Sequence, residues 1–190
     1  MKSNYIPAEI RYGELFASFA NSFREIAFEI DEEPSKIKQY SHLPAIDFLI
    51  SDRDSTTFER TCYLEAFAYG DPGVLLASPG PSVAGLMLRE LGLPEQITEF
   101  YTLLREKRMT TFFALTEKEK GSDAMHIDTR LHQDIFSKNN YTLQGEKYFS
   151  GNASIADMGI VLAKISDGPM GMRAVWLTNA ILNSSNIERV

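Results

Sequence analysis

The chain changes the period of its apolar residues once, near Met109, which points to a helical part followed by a strand part. Before that point apolar residues recur at helical spacing; after it they mostly alternate. Directly after the change comes Thr111-Phe112-Phe113-Ala114-Leu115, a run long enough for a buried strand. The residues that follow, Thr116-Glu117-Lys118-Glu119-Lys120-Gly121-Ser122-Asp123, are too polar to continue it. A strand end that opens into a loop of Gly and small hydroxyl residues leaves backbone N–H groups available to a ligand. The same residues also suit a helix cap, because Thr116 followed three residues later by Glu119 matches a capping box. Both readings stand at this point.

Before the change, the spacing predicts a helix over 12–32, with Leu15, Phe16, Phe19, Phe23, Ile26, Ala27 and Ile30 on one stripe and Pro34 ending it. Residues 43–50 read as a short helix or extended segment. A second helix, over 55–69, shows Phe58, Thr61, Cys62, Leu64, Glu65 and Ala68 at helical spacing, with Cys62 expected as an inert core thiol. Gly70 stops it. A third helix carries Val83, Leu86, Met87 and Leu91 on one face and ends at Gly92. Pro94 opens a fourth, with Ile97, Phe100, Tyr101 and Leu104 turned inward.

After the change, His126, Asp128, Arg130 and His132 alternate with Ile127, Thr129 and Leu131, as in a strand with one wet face. Lys138-Asn139-Asn140 reads as a hairpin turn, and Gly145 as a bulge or tight bend. Residues 158–165 form a buried strand, turned by Ser166-Asp167-Gly168-Pro169 into 172–178 with the single tryptophan, Trp176. The fold class is therefore α+β: an N-terminal all-α helical domain, 1–108, followed by an antiparallel β-barrel-like domain, 109–190.

Several function classes fall away on composition. Acids outnumber bases 26 to 19 with no dense Lys/Arg cluster, so no nucleic-acid surface is expected. The lone Cys62 excludes an internal disulfide and a Cys-based zinc cluster, and suits a reducing, cytoplasmic setting. No apolar run approaches a membrane span, and the first residues lack a signal-peptide core. His126 and His132 share a polar face, but no carboxylate or cysteine cluster completes a metal site, so no metal is expected. No nucleotide-loop, zinc-protease or nucleophile-elbow motif is present, and the spacing of Ser122 and His126 does not make a nucleophile–base pair.

Three pieces of the chain together resemble the acyl-CoA dehydrogenase family of flavoproteins. The first is Ala114-Leu115-Thr116-Glu117 with Gly121-Ser122-Asp123, similar to the family's first signature. The second is Gly145-Glu146-Lys147-Tyr148-Phe149, followed by Gly151-Asn152 and Ile155-Ala156-Asp157, similar to the strand and turn along the flavin. The third is Tyr69-Gly70-Asp71-Pro72-Gly73 followed by a helix through Leu93, similar to the helices that precede the flavin domain.

The resemblance implies an enzyme with a helical domain, a middle β-domain and a C-terminal helical bundle, with FAD between the last two. A carboxylate base removes a proton α to an acyl thioester and the flavin takes the β-hydride. Position by position, it implies that Phe113, Leu115 and Thr116 run beside the flavin edge. Gly121 and Ser122 would lie in the phosphate-contacting loop, Ser122 also near the arm of the acyl carrier. Phe149 would pack on the flavin, and Ser150 and Gly151 would approach its N5. Lys118-Glu119-Lys120 stands where a compact Pro- and Gly-rich turn is common, and Gly151 where a hydroxyl residue is common. No glutamate matches the base, so no catalytic residue is assigned, and the chain alone is expected to be inactive. By the same resemblance the β-domain is expected to be incomplete and the C-terminal bundle absent. The substrate would be an acyl thioester on CoA or acyl-carrier protein, and the chain would form a homo-oligomer or await a companion chain. The alternatives are a non-catalytic subunit and a thioester-binding module without redox chemistry.

Overall fold

The computed structural model describes residues 8–51, 55–80, 82–137 and 139–189. They form two units. One takes the described residues up to Gly80 with Leu104–Arg108; the other takes those of Pro81–Leu103 and Met109–Val190. The units interleave in sequence, so residues 82–103 group with the strands although they are helical.

In the first unit, α1 (Ala8–Glu32) leaves helical geometry at Gly13, where φ is +79°. Beyond it Phe19, Phe23, Ile26 and Ile30 are buried as expected, whereas Leu15 is exposed. Pro34 ends the helix and opens a 3-10 turn, Pro34–Tyr40, that buries Ile37. Then come α2 (Pro44–Ser51), α3 (Thr57–Gly70) and α4 (Pro72–Ala77). Rings from three of these elements, Phe16, Phe19, Phe23, Phe48, Tyr63 and Phe67, stack edge-on and face-on into one cluster. Each fully buried ring stabilises the unit by about 1.5–3 kcal/mol. Thr56 and Glu59 cap α3 reciprocally, and the Asp71 carboxylate accepts from the Val74 amide at 2.8 Å to cap α4.

Two expectations about α3 are corrected. Its buried face is Tyr63, Ala66 and Phe67, while Phe58 and Cys62 are exposed. The helix has apolar residues all round, and the aromatic cluster selects the face with rings. Gly70 also does more than end the helix. A Cβ there would stand 2.3 Å from the Ala20 carbonyl oxygen, so its lack of a side chain lets α3 and α1 approach closely.

In the second unit, α5 (Ser82–Leu91) buries Ala84, Gly85 and Leu88, and leaves Val83, Leu86 and Leu91 exposed. The expected stripe is therefore the outer one. Small residues face inward because α5 packs closely on the first strand, where the Ser82 and Thr111 hydroxyls lie 2.8 Å apart. The next helix, α6 (Pro94–Lys107), buries Phe100, Tyr101 and Leu104 as expected; its last turn belongs to the first unit. Phe100 meets Trp176 edge-on.

The strands are β1 (Thr111–Ala114), β2 (Arg130–Gln133), β3 (Tyr141–Gln144), β4 (Met158–Lys164) and β5 (Met172–Leu177), followed by the short helix α7 (Asn179–Leu182). β4 is the centre. It pairs parallel with β1 (Thr111 opposite Met158) and antiparallel with β5 (Lys164 opposite Met172). At its far end it meets β2, parallel, through Lys164 and Arg130. A strand has two edges, so β1 and β2 share one and β5 takes the other. The sheet is thus mixed rather than antiparallel throughout. An α+β fold with an N-terminal helical region and a partial sheet is what the sequence led us to expect. The interior place of β4 explains its nearly continuous apolar sequence, which is buried on both faces. Gly159 makes room for the Phe112 ring, since a Cβ there would lie 2.2 Å from a ring carbon. Phe112 and Ala114 join Ala156, Val161, Leu177 and Leu182 in the core on one face.

The strand expected over 126–132 is shorter than its alternation suggests. Residues 126–129 alternate in burial, with Ile127 and Thr129 buried, but the strand begins only at Arg130 and is preceded by a 3-10 turn, Ala124–His126. The hairpin turn joins β2 to β3 as expected, with the Asn140 amide donating to the Ser137 carbonyl; Lys138 lies outside the described residues. Gly145, just past the end of β3, has φ +149°, and a Cβ there would lie 2.6 Å from the Thr129 hydroxyl oxygen, so the glycine allows a close approach rather than making a bulge or bend.

Candidate functional site

The geometry around the end of β1 follows from one carboxylate. Glu117 is the first charged residue after the apolar run, and its side chain is only 8% exposed. It folds inward: one oxygen accepts from the Asp128 amide at 2.5 Å, the other from the Thr129 amide at 2.8 Å and hydroxyl at 2.5 Å. The Lys147 ammonium, 9% exposed, adds a bond of 2.8 Å. Burial alone would raise the Glu117 carboxyl, but the Asp128 amide, the Lys147 ammonium and the two Thr129 donors together hold it at about 2. Burial pushes Lys147 below the ordinary lysine value, against the opposing pull of Glu117.

This arrangement excludes the helix-cap reading of the loop. Thr116 caps no helix. Glu117 and Lys120 exchange backbone hydrogen bonds of 3.1 Å across a tight turn instead. No helix forms because the Glu117 side chain is drawn into the sheet.

Lys147 also donates to the Leu115 carbonyl at 3.0 Å, and the Tyr148 amide donates to the Thr116 carbonyl at 2.9 Å. Leu115 and Thr116 are thus fastened to Lys147 and Tyr148, which lead in sequence into Phe149 and Ser150. Phe113, on β1 opposite Ile160, is half-buried on the sheet face away from Phe112. Phe149 is 93% exposed and held at φ +55°, a left-handed conformation that costs an ordinary residue about 1–2 kcal/mol. The Ser150 hydroxyl is buried with no hydrogen-bond partner among the described residues. Gly121 and Gly151 each have open space where a Cβ would point. Gly121 and Ser122 lie on the exposed loop past the turn, next to Asp123, whose carboxylate holds His126 Nδ1 at 2.6 Å. The structure therefore ties the Leu115 and Thr116 backbone to Lys147 and Tyr148, the two residues directly before Phe149 and Ser150, and leaves Gly121 and Ser122 on a separate loop.

Behind this group, Thr110 donates from its amide and its hydroxyl to the Asp157 carboxylate, both at 3.0 Å, and accepts back from the Asp157 amide at 3.0 Å. That exchange sets the start of β1 against the start of β4. It also gives a structural role to the Ile155-Ala156-Asp157 piece of sequence.

A flat aromatic ligand fits these features. It would cover an exposed ring, and its polar edge would satisfy an orphaned buried hydroxyl that otherwise costs about 1–3 kcal/mol. No group of His, Cys, Asp or Glu among the described residues is arranged to hold a metal ion. No helix among them is long and apolar enough to cross a membrane.

Comparison with known proteins gives this geometry a context. Residues 112–186 match the family model described as acyl-CoA dehydrogenase, middle domain. A probable medium-chain specific acyl-CoA dehydrogenase of Caenorhabditis briggsae is 29% identical over 114 residues, which are 60% of this chain and 27% of that protein. Butyryl-CoA dehydrogenase of Megasphaera elsdenii superposes with a TM-score of 0.68 at 22% identity, over 94% of this chain and 50% of that one. An acyl-CoA dehydrogenase of Bacillus anthracis complexed with FAD superposes with a TM-score of 0.62 at 20% identity, over 93% of this chain and 34% of that one. The chain thus spans between about a quarter and a half of the length of these proteins.

Proposed function

Because the chain belongs to the acyl-CoA dehydrogenase family, we propose that its sheet unit forms one wall of an FAD site serving the α,β-dehydrogenation of an acyl thioester carried on CoA or on a carrier protein. The observation that carries this reading is the pairing of an exposed, backbone-strained Phe149 with the orphaned Ser150 hydroxyl, beside Leu115 and Thr116. Bound FAD would supply the hydride acceptor. This chain's residues would bind and orient it: Phe149 by stacking, Ser150 by its hydroxyl, and Leu115 and Thr116 by their backbone. Phe113 would flank the ring, Gly151 would stand with Ser150 near its N5, and the loop of Gly121 and Ser122 would leave room for phosphate and thioester arm. Glu117 is not the proton-abstracting base, because four donors hold it ionised and buried. Assembly with copies of itself or with a companion chain belongs to the same proposal. The outer edges of β3 and β5 and the exposed Leu86, Leu91 and Leu93 support it, and sedimentation at low micromolar concentration tests it, a lone monomer counting against it.

FAD titration of the purified chain, followed by flavin absorption and fluorescence, tests the cofactor reading. Uptake is expected. Phe149→Ala should weaken it by roughly 1–3 kcal/mol and Ser122→Ala by about 1 kcal/mol. No uptake by the unmodified chain would overturn the reading.

A further inference from the structure

An ammonium buried to 9% exposure is a costly way to join two pieces of backbone, since apolar side chains of the same size often do so at no loss of stability. What apolar side chains cannot do is set a full positive charge on one chosen carbonyl. Lys147 does so at 3.0 Å from the Leu115 oxygen. The N–H of that same peptide belongs to Thr116. A charge-assisted bond to a peptide oxygen draws density from the amide and strengthens its N–H as a donor. Glu117 supplies the counter-charge, and its own bonds to Asp128 and Thr129 fix where Lys147 can reach.

We propose that Lys147, held by Glu117, is a positioning residue that locks the Leu115 and Thr116 backbone to the segment carrying Phe149 and Ser150 and polarises the peptide between Leu115 and Thr116 toward the electron-rich edge of a bound flavin. The inference rests on the reading of these residues as the cofactor wall. It adds that the wall's donor strength is set from behind, by a residue that does not touch the ligand. The polarised N–H favours the form of the ring that carries more negative charge, which is the reduced one. Lys147 therefore raises the reduction potential of the bound flavin as well as its affinity.

The test uses the double variant Glu117→Gln/Lys147→Met, which removes both charges together so that neither is left buried alone, and Lys147→Arg as the conservative partner. Three quantities are read: amide hydrogen exchange at 115–117 and 147–150 without FAD, FAD affinity, and the midpoint potential of the bound flavin. In the double variant, exchange is expected to accelerate in both segments together and FAD affinity to fall at least about tenfold. The potential should move negative, while Lys147→Arg recovers part of each change. A double variant with unchanged FAD affinity and potential would overturn the inference and leave the cofactor reading standing. Faster exchange with weaker binding but an unmoved potential would overturn the polarising role. An unmodified chain that takes up no FAD would overturn the cofactor reading and the inference with it.

Discussion

Acid should loosen the sheet unit through Glu117 more than through any other single group described above. Its folded-state value of about 2 lies below the ordinary 4.5, so the stability it contributes is fully present above pH 4.5 and is lost as the pH falls toward 2. At about 1.36 kcal/mol per pH unit, that difference amounts to at most about 3 kcal/mol. Lys147 does not change this window. It stays protonated throughout it in folded and unfolded chains alike, and the loss of its counter-charge as Glu117 takes up a proton is already part of the Glu117 shift. Trp176 is the single tryptophan and stands on β5, so its emission during urea unfolding reports on the unit that contains Glu117. Between pH 4.5 and 2 the unmodified chain should lose up to about 3 kcal/mol more than Glu117→Gln/Lys147→Met, in which nothing at this position titrates. At pH 7, Glu117→Gln alone should lose about 3–5 kcal/mol, because Lys147 is then buried without its partner. Parallel stability–pH curves for the unmodified chain and the double variant would refute the assignment of Glu117 as the acid-labile anchor.

Gly159→Ala should cost about 1–3 kcal/mol, since its Cβ would meet the Phe112 ring at 2.2 Å, and Phe112→Leu should restore part of the loss; the urea midpoint from Trp176 emission reads both, and an unshifted midpoint counts against the packing described. Gly70→Ala should lower the helical thermal midpoint read by circular dichroism, because the obstacle 2.3 Å away is Ala20 backbone and cannot rotate aside. A substitution without effect there would mean that α1 and α3 do not meet as described.

Much of the architecture was legible, because periodicity reports which face of an element is wet. The switch near Met109, the aromatic stripe of α1, the inward residues of α6 and the two hairpins all follow from it. Periodicity failed where a helix had two apolar faces. On α3 and α5 the longer apolar side chains, Phe58, Leu86 and Leu91, point outward, and rings or small residues take the inner face. Glu117 was missed for a different reason. In a Glu-Lys-Glu-Lys run it looks like any solvated charge, and its partner lies 30 residues away. The available signals were its place directly behind an apolar strand and a lysine directly before two aromatic residues. Of the expected site, the joining of Leu115 and Thr116 to Phe149 and Ser150 needed three dimensions, since nothing in the spacing of the segments shows the lysine that connects them.

The central place of β4 also has a meaning in time. The two hairpins close over short spans, with Gln133 opposite Tyr141 and Lys164 opposite Met172, whereas β1 must wait for a partner 47 residues further on. Bringing the ends of that longer segment together costs about 1.6 kcal/mol more loop entropy than closing the 8-residue step between β4 and β5. During synthesis, Thr111-Phe112-Phe113-Ala114 therefore leaves the ribosome well before the strand that will cover it. Through that interval this apolar stretch is without the strand that will pair with it. The charged run just beyond it, Glu117-Lys118-Glu119-Lys120, is the kind of flank that discourages premature pairing of an apolar strand, and one of its members ends up inside, anchoring the segment behind β1.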